Sequence, residues 1–287
     1  MKKKLAILGA CVAVLAATVT GVARAIEWGT PDASNTYAGV GLVVFYDSAG
    51  RPLWRCTGSL VSPTVVLTAG HCTGLDVDLG FAPSRAQVWF SNGYPTQIPR
   101  GSWLPPAPCE GVAAGYPCTG DVGGTPHAHP GWNGHLTLPN SHDMGVVVLD
   151  HAVSLPTYPV APVGTLDSLK SKRGQQEMQF IVVGYGVQVE MPIVEVAQRT
   201  RYVGQVQVTD VSSALADGYN LMTTGAPGKG TGGSSTCYGD SGGPVFYGSQ
   251  IVAVTSFGFN PYCKGQSGAF RVDNAQAHTF LAGYGVS

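Results

Sequence analysis

The chain has 287 residues, with 44% hydrophobic but only 11% charged side chains, 40 glycines and 20 prolines. Enough apolar residues are present to bury a core, which excludes a disordered chain, and the loop-rich profile suits a β-rich exported protein better than a helical cytosolic one. A formal net charge of −1 gives no sign of the basic surface that nucleic-acid binding demands.

The first 25 residues read as an export signal. Lys2, Lys3 and Lys4 are followed by an apolar stretch from Leu5 to about Val22, then by Ala23-Arg24-Ala25. Two rival readings are a retained membrane anchor, which lacks a stop-transfer flank, and a lipoprotein signal ending at Cys11, whose apolar run is short. Removal of residues 1–25 takes away four basic residues and no acid, so 12 basic residues face 17 acidic ones at net −5. A secreted protein, extracellular or periplasmic, without a stable membrane anchor is expected.

Short strands dominate the rest of the chain. Val40–Tyr46, Val65–Thr68, Arg85–Phe90, Gly145–Leu149, Phe180–Tyr185, Gln205–Val208, Pro244–Tyr247 and Ile251–Ser256 are rich in Val, Ile, Phe and Tyr, with many of them bounded by Gly, Pro, Asn or Ser clusters. Ser91 to Asn140 reads as insertion and loop, and Ser154 to Gly174 as a looser connection between two halves. Near the end, Asp273 or Asn274 is placed to cap a short helix through Leu281 that Gly283 stops. All-β with one terminal helix is the expected class.

Seven cysteines less Cys11 leave Cys56, Cys72, Cys109, Cys118, Cys237 and Cys263. An even number in an exported chain points to disulfides, and six cysteines allow 15 pairings. No CxxC pair supports zinc. His127, His129, His135 and His142 read as solvated loop histidines rather than metal ligands, and no metal or cofactor is expected.

Three segments carry chemistry: Leu67-Thr68-Ala69-Gly70-His71-Cys72, His142-Asp143-Met144-Gly145, and Cys237-Tyr238-Gly239-Asp240-Ser241-Gly242-Gly243-Pro244. A serine hydroxyl is a poor nucleophile at neutral pH and needs an adjacent base. Histidine titrates in the right range, and a buried carboxylate fixes its tautomer and steadies its charge. Glycines around the serine let backbone amides turn towards a developing oxyanion.

These motifs resemble those of the chymotrypsin/trypsin-like serine peptidases, in sequence order His, Asp, Ser. The glycine–serine–glycine spacing also fits the α/β-hydrolase elbow, but there the histidine comes last, and only His278 follows Ser241. The resemblance implies two antiparallel six-stranded β-barrels: one over about 26–153, a linker over about 154–174, and one over about 175–287. It implies His71 as general base, Asp143 as its orienting carboxylate, Ser241 as nucleophile, and the amides of Gly239 and Ser241 as oxyanion hole. It implies bridges Cys56–Cys72 and Cys237–Cys263, which leaves Cys109 and Cys118 to each other in a pair without a family counterpart.

The resemblance extends to the substrate pocket and to activation. Ser235 is expected at the pocket base with Thr236 beside it, and Ser256, Phe257, Gly258 and Gly268 along its walls. A neutral base suits a large apolar or aromatic side chain. Glutamate-selective relatives carry a histidine before the wall serine, where this chain has Thr255. An activation pair between the ammonium of a freed Ile26 and the Asp240 carboxylate is expected, with signal removal itself exposing Ile26. Ile26-Glu27 departs from the family's usual Ile-Val. Partners are protein or peptide substrates and protein inhibitors. The alternative is an inactive homologue that binds through the cleft or the 91–140 loop.

Overall fold

The computed structural model describes residues 26–93, 119–169, 179–192, 194–196, 200–225 and 233–287. The expected export signal over residues 1–25 and the expected Cys109–Cys118 pair lie outside the described residues.

The elements run β1 (Thr30–Pro31), β2 (Val40–Tyr46), β3 (Pro52–Ser62), β4 (Val65–Thr68), α1 (Gly70–Thr73), β5 (Arg85–Trp89), β6 (Val122–Ala128) and β7 (Gly145–Leu149). They continue with β8 (Gln179–Gly184), β9 (Val189–Met191), β10 (Val194–Val196), β11 (Tyr202–Asp210), β12 (Asn220–Gly225), β13 (Pro244–Tyr247), β14 (Gln250–Gly258), β15 (Gly265–Arg271) and α2 (Ala275–Ala282). The first barrel closes in the order β2-β3-β4-β7-β6-β5. The second runs β11-β12-β15-β14-β13-β8 and closes through β11–β8, with β1 added outside it. All ladders are antiparallel, so the two six-stranded barrels expected from the motifs are present.

Side-chain alternation builds three apolar centres. Val43 and Phe45 of β2 point into the first barrel, with Leu60, Val66, Val88 and Val147. Leu42, Val44 and Tyr46 point the other way, into a centre shared with Val183, Phe246, Val254 and Phe270 of the second barrel. A strand buried on both faces needs a continuous apolar run, which Val40–Tyr46 supplies. The third centre fills the second barrel with Phe180, Val206, Leu221 and Val252.

The ends of the described chain do not stay with their nearest barrel. Ile26 is wholly buried in the second-barrel core, and Thr30 and Pro31 pair with β11. Ala277, Phe280 and Leu281 of α2 join the centre between the barrels, and Phe280 lies 5.1 Å from the His129 ring. Asn274 caps α2 by accepting from the Ala277 amide at 2.9 Å, while Asp273 is held by Arg271. At the junction, buried Arg201 donates to Asp32 at 2.8 Å and to the carbonyls of Val40 and Phe90.

The 91–140 segment corrects its reading as insertion and loop, because Val122–Ala128 is a strand of the first barrel. Its Val-Gly-Gly-Thr-Pro-His-Ala sequence hides the pattern. Gly124 is small because a Cβ there would lie 2.5 Å from a Val147 methyl and 2.7 Å from the Val148 carbonyl. The 154–174 connection contributes Leu166 and Leu169 to the second-barrel core over its described part.

Candidate active site

The three chemical segments meet between the barrels. His71 sits on the single turn α1 that follows β4, Asp143 just before β7, and Ser241 just before β13. Strands β4 and β7 pair from Thr68↔Gly145 to Val65↔Val148, which fixes the start of α1 beside Asp143. The His71 amide donates to Asp143 Oδ1 at 2.7 Å, and His71 Nδ1 lies 2.9 Å from Oδ2. Asp143 is wholly buried, and the Ser256 hydroxyl donates to its Oδ2.

The electrostatics follow from this geometry. Burial opposes ionisation of Asp143, but the His71 imidazole and the hydroxyl and amide donors outweigh it and hold the carboxyl below its ordinary range. Burial likewise opposes charge on His71, yet Asp143, assisted by Asp76, raises its pKa above the ordinary imidazole value. The His71 side chain keeps about a third of its surface open, at 32%. With Nδ1 committed to Asp143, the other ring nitrogen remains for proton transfer.

Ser241 is anchored from both barrels. Its carbonyl accepts from the Thr57 amide of β3 at 2.8 Å, and Thr57 Oγ1 donates to the Gly239 carbonyl at 2.8 Å. On the other side the Gly242 amide donates to the Thr255 carbonyl of β14 at 2.8 Å. Gly242 has φ +76, and a Cβ there would overlap the Thr68 hydroxyl and come within 2.6 Å of the Ala69 amide. The Ser241 loop therefore packs directly on the segment leading to His71. Gly239 has φ +95. Neither the Gly239 nor the Ser241 amide donates to another described residue. The structure thus brings the Ser241 loop against the segment that leads to His71, with the histidine–aspartate contact formed.

Asp240 packs over Gly184 and Gly186. It is wholly buried, with Oδ1 accepting from the Gly186 amide at 2.8 Å and Oδ2 from the Cys237 amide at 2.9 Å. Burial raises its pKa to about 7, opposed by those amides and by Arg55. Its carboxylate fills the space above Gly184, as the Ile26 side chain does above Gly204. Strands β8 and β11 pair Gly184 with Tyr202 and Val182 with Gly204. Directly paired residues share a face, as do residues two apart, so Ile26 and Asp240 stand on one face of the ladder.

The expected pocket residues fall on two segments, Ser235 and Thr236 ahead of the Ser241 loop and Ser256, Phe257, Gly258 and Gly268 on β14 and β15. Ser235 is buried, and its amide donates to the Glu27 carbonyl at 2.9 Å. Thr236 continues that segment. Phe257 pairs with Gly268, and its ring covers the space that a Cβ at Gly268 would need. Gly268 therefore serves the packing of Phe257, while Gly258 is open, its nearest atom the Asn260 carbonyl at 4.0 Å. Ser256 differs from its expected role as pocket wall alone, since its hydroxyl is spent on Asp143.

Disulfides Cys56–Cys72 and Cys237–Cys263 are formed and flank His71 and Ser241 respectively. Cys56, His71 and Cys72 cluster tightly, but the two sulfurs are bonded to each other and not available to a metal. His129 and His142 are not simply solvated: their rings stack at 4.8 Å beneath α2, and partial burial holds both below the ordinary imidazole pKa. Sequence reasoning missed Thr57, whose strand was unassigned, and Trp132, whose ring lies 6.4 Å from His71. It also passed over the side chain of Glu27.

Comparison with known proteins agrees with this geometry. Residues 119–278, more than half of the chain, match the Trypsin family model. Snake venom serine protease KN1 of Trimeresurus stejnegeri is 25% identical over 72% of this chain and 68% of its own length. Brachyurin of Leptuca pugilator is 29% identical over 74% and 79% respectively. The solved structure of HL collagenase covers 91% of this chain and all of its own, with a TM-score of 0.64 at 16% identity, which is a likeness of fold. The two barrels and the family match together place this chain in the trypsin family of serine peptidases.

Proposed function

We propose that this chain is a secreted serine endopeptidase that cleaves peptide bonds through an acyl-enzyme, with a preference for a large apolar or aromatic residue before the cut. The observation that carries the reading is the buried Asp143 holding His71 Nδ1 at 2.9 Å beside the Ser241 loop. His71 accepts the Ser241 proton as the hydroxyl attacks the carbonyl carbon, and Asp143 steadies the imidazolium. The amides of Gly239 and Ser241 receive the oxyanion. His71 then protonates the departing amine. Water, deprotonated by His71, releases the acyl group and restores the serine.

Ser235, Thr236, Ser256, Phe257 and Gly258 line the acyl-side pocket in this reading, with Gly268 supporting the Phe257 ring. Ser235 brings no charge to the base, and an apolar side chain gains by burial there. Removal of residues 1–25 frees Ile26, whose ammonium pairs with Asp240. Supporting this, the Ile26 side chain is buried on the same ladder face as Asp240, whose buried carboxylate accepts from the Gly186 and Cys237 amides.

Mass spectrometry before and after treatment with an organofluorophosphonate tests the reading. One adduct on Ser241 of a chain starting at Ile26, together with hydrolysis of Phe- or Leu-containing peptides, is expected. A chain that starts at Ile26, stays unlabelled and cleaves no peptide supports the inactive binding homologue instead.

A further inference from the structure

We propose that Glu27 is a positioning residue whose buried carboxylate anchors the β9–β10 hairpin and, through it, the nucleophile loop. The inference rests on the serine-peptidase reading and extends it to a position where family resemblance predicts a small apolar residue.

A carboxylate needs a reason to be buried, and Glu27 is only 2% exposed. Its Oε1 accepts from the Glu190 amide at 3.1 Å. Lys264 Nζ lies 3.9 Å from the same oxygen and donates to the Glu190 carbonyl at 3.2 Å. The Glu27 carbonyl accepts from the Ser235 amide. One residue thus joins the start of the mature chain, the β9 strand, the segment after Cys263 and the base of the pocket. Desolvation raises the Glu27 pKa, and the Glu190 amide and Lys264 oppose that rise.

The hairpin needs such an anchor. Strands β9 and β10 pair only with each other among the described residues, outside both barrels. A two-stranded hairpin alone is marginal in water. Immediately before β9, the Val187 amide donates to the Tyr238 carbonyl at 2.8 Å and the Gly186 amide to Asp240 Oδ1. Tyr238 and Asp240 flank Gly239, whose amide the mechanism needs. Glu27 never touches the reacting atoms; it acts on them through Glu190, Val187 and Gly186.

Substitutions separate this role from mere stability. Glu27→Val removes the acceptor, whereas Glu27→Gln keeps an oxygen for the Glu190 amide. In Glu27→Val, kcat/KM on a peptide substrate is expected to fall tenfold or more, with the rate of Ser241 labelling by a fluorophosphonate falling in step. Glu27→Gln is expected to recover both to within about threefold of the parent. Lys264→Met, at a partly exposed site, should speed hydrogen exchange of the Val187–Met191 amides even if Glu27→Val does not fold. Wild-type labelling in Glu27→Val, equal losses in the two Glu27 variants, or unchanged exchange in Lys264→Met would each overturn the role. Failure of the parent protein to label at all would defeat the peptidase reading instead, leaving the exchange measurement to judge Glu27.

Discussion

Asp143 accepts from three groups with two oxygens: the His71 amide, His71 Nδ1 and the Ser256 hydroxyl. An amide in its place cannot accept equally from all of them and favours the wrong imidazole tautomer. Asp143→Asn is therefore expected to lower kcat/KM by about 10⁴-fold, measured on a chromogenic peptide, with little loss of folded protein. Ser256→Ala removes only the auxiliary donor and should cost about threefold to tenfold in the same assay. The general base works only when neutral. Because Asp143 lifts the His71 pKa above 6.5, activity should be lost as pH falls, along an acid limb whose midpoint lies above 6.5. A midpoint at or below the ordinary imidazole value in a kcat/KM profile would mean that the carboxylate does not act on the histidine in solution.

Among the elements, the Ser241 loop and its neighbours are the least forgiving. Gly242→Ala combines a left-handed backbone with overlap on the Thr68 hydroxyl, and should cost about 3 kcal/mol or more in a denaturation measurement. The capping change Asn274→Ala should cost only about 1 kcal/mol. The elements legible in the sequence were those with unbroken Val, Ile or Phe runs: β2, β4, β7 and β13 have the bounds their residues suggest. The strands that escaped have mixed composition for local reasons. β3 carries Arg55, Cys56 and Thr57, of which Cys56 is bonded to Cys72 and Thr57 holds the Gly239 and Ser241 carbonyls; β6 gives up side chains at Gly123 and Gly124 to approach its neighbours; β15 opens with Gly-Gln-Ser-Gly, where Gly268 lies under Phe257. The candidate site was legible as motifs because the chemistry proposed for it tolerates few residue types, whereas Thr57 and Glu27 make contacts distant in sequence, Thr57 Oγ1 with the Gly239 carbonyl and Glu27 with the Glu190 amide.

At the scale of the molecule, the proposed cleavage before Ile26 should show as a change in pH dependence. A buried Asp240 with a pKa near 7 instead of 3.8 binds a proton more tightly folded than unfolded. Stability from this group is then present below pH 3.8 and is lost as pH rises to about 7, on the order of 4 kcal/mol over that window. Pairing with the Ile26 ammonium holds the carboxylate ionised and removes that loss. Melting curves between pH 4 and 7 should therefore fall for a chain carrying residues ahead of Ile26 and stay flatter for one beginning at Ile26. Identical curves would argue against the pair.

The crossing of the two ends has a consequence for how such a protein can be divided. Ile26 belongs to the core of one barrel and α2 to the seam against the other, so a cut in the connecting segment does not yield two self-sufficient pieces. A fragment ending after the first barrel carries an orphaned apolar leader and lacks the helix that covers its flank. Exchange of halves between relatives must therefore move non-contiguous stretches of sequence together, and a recombination point that respects the gene's linear order will not respect the packing.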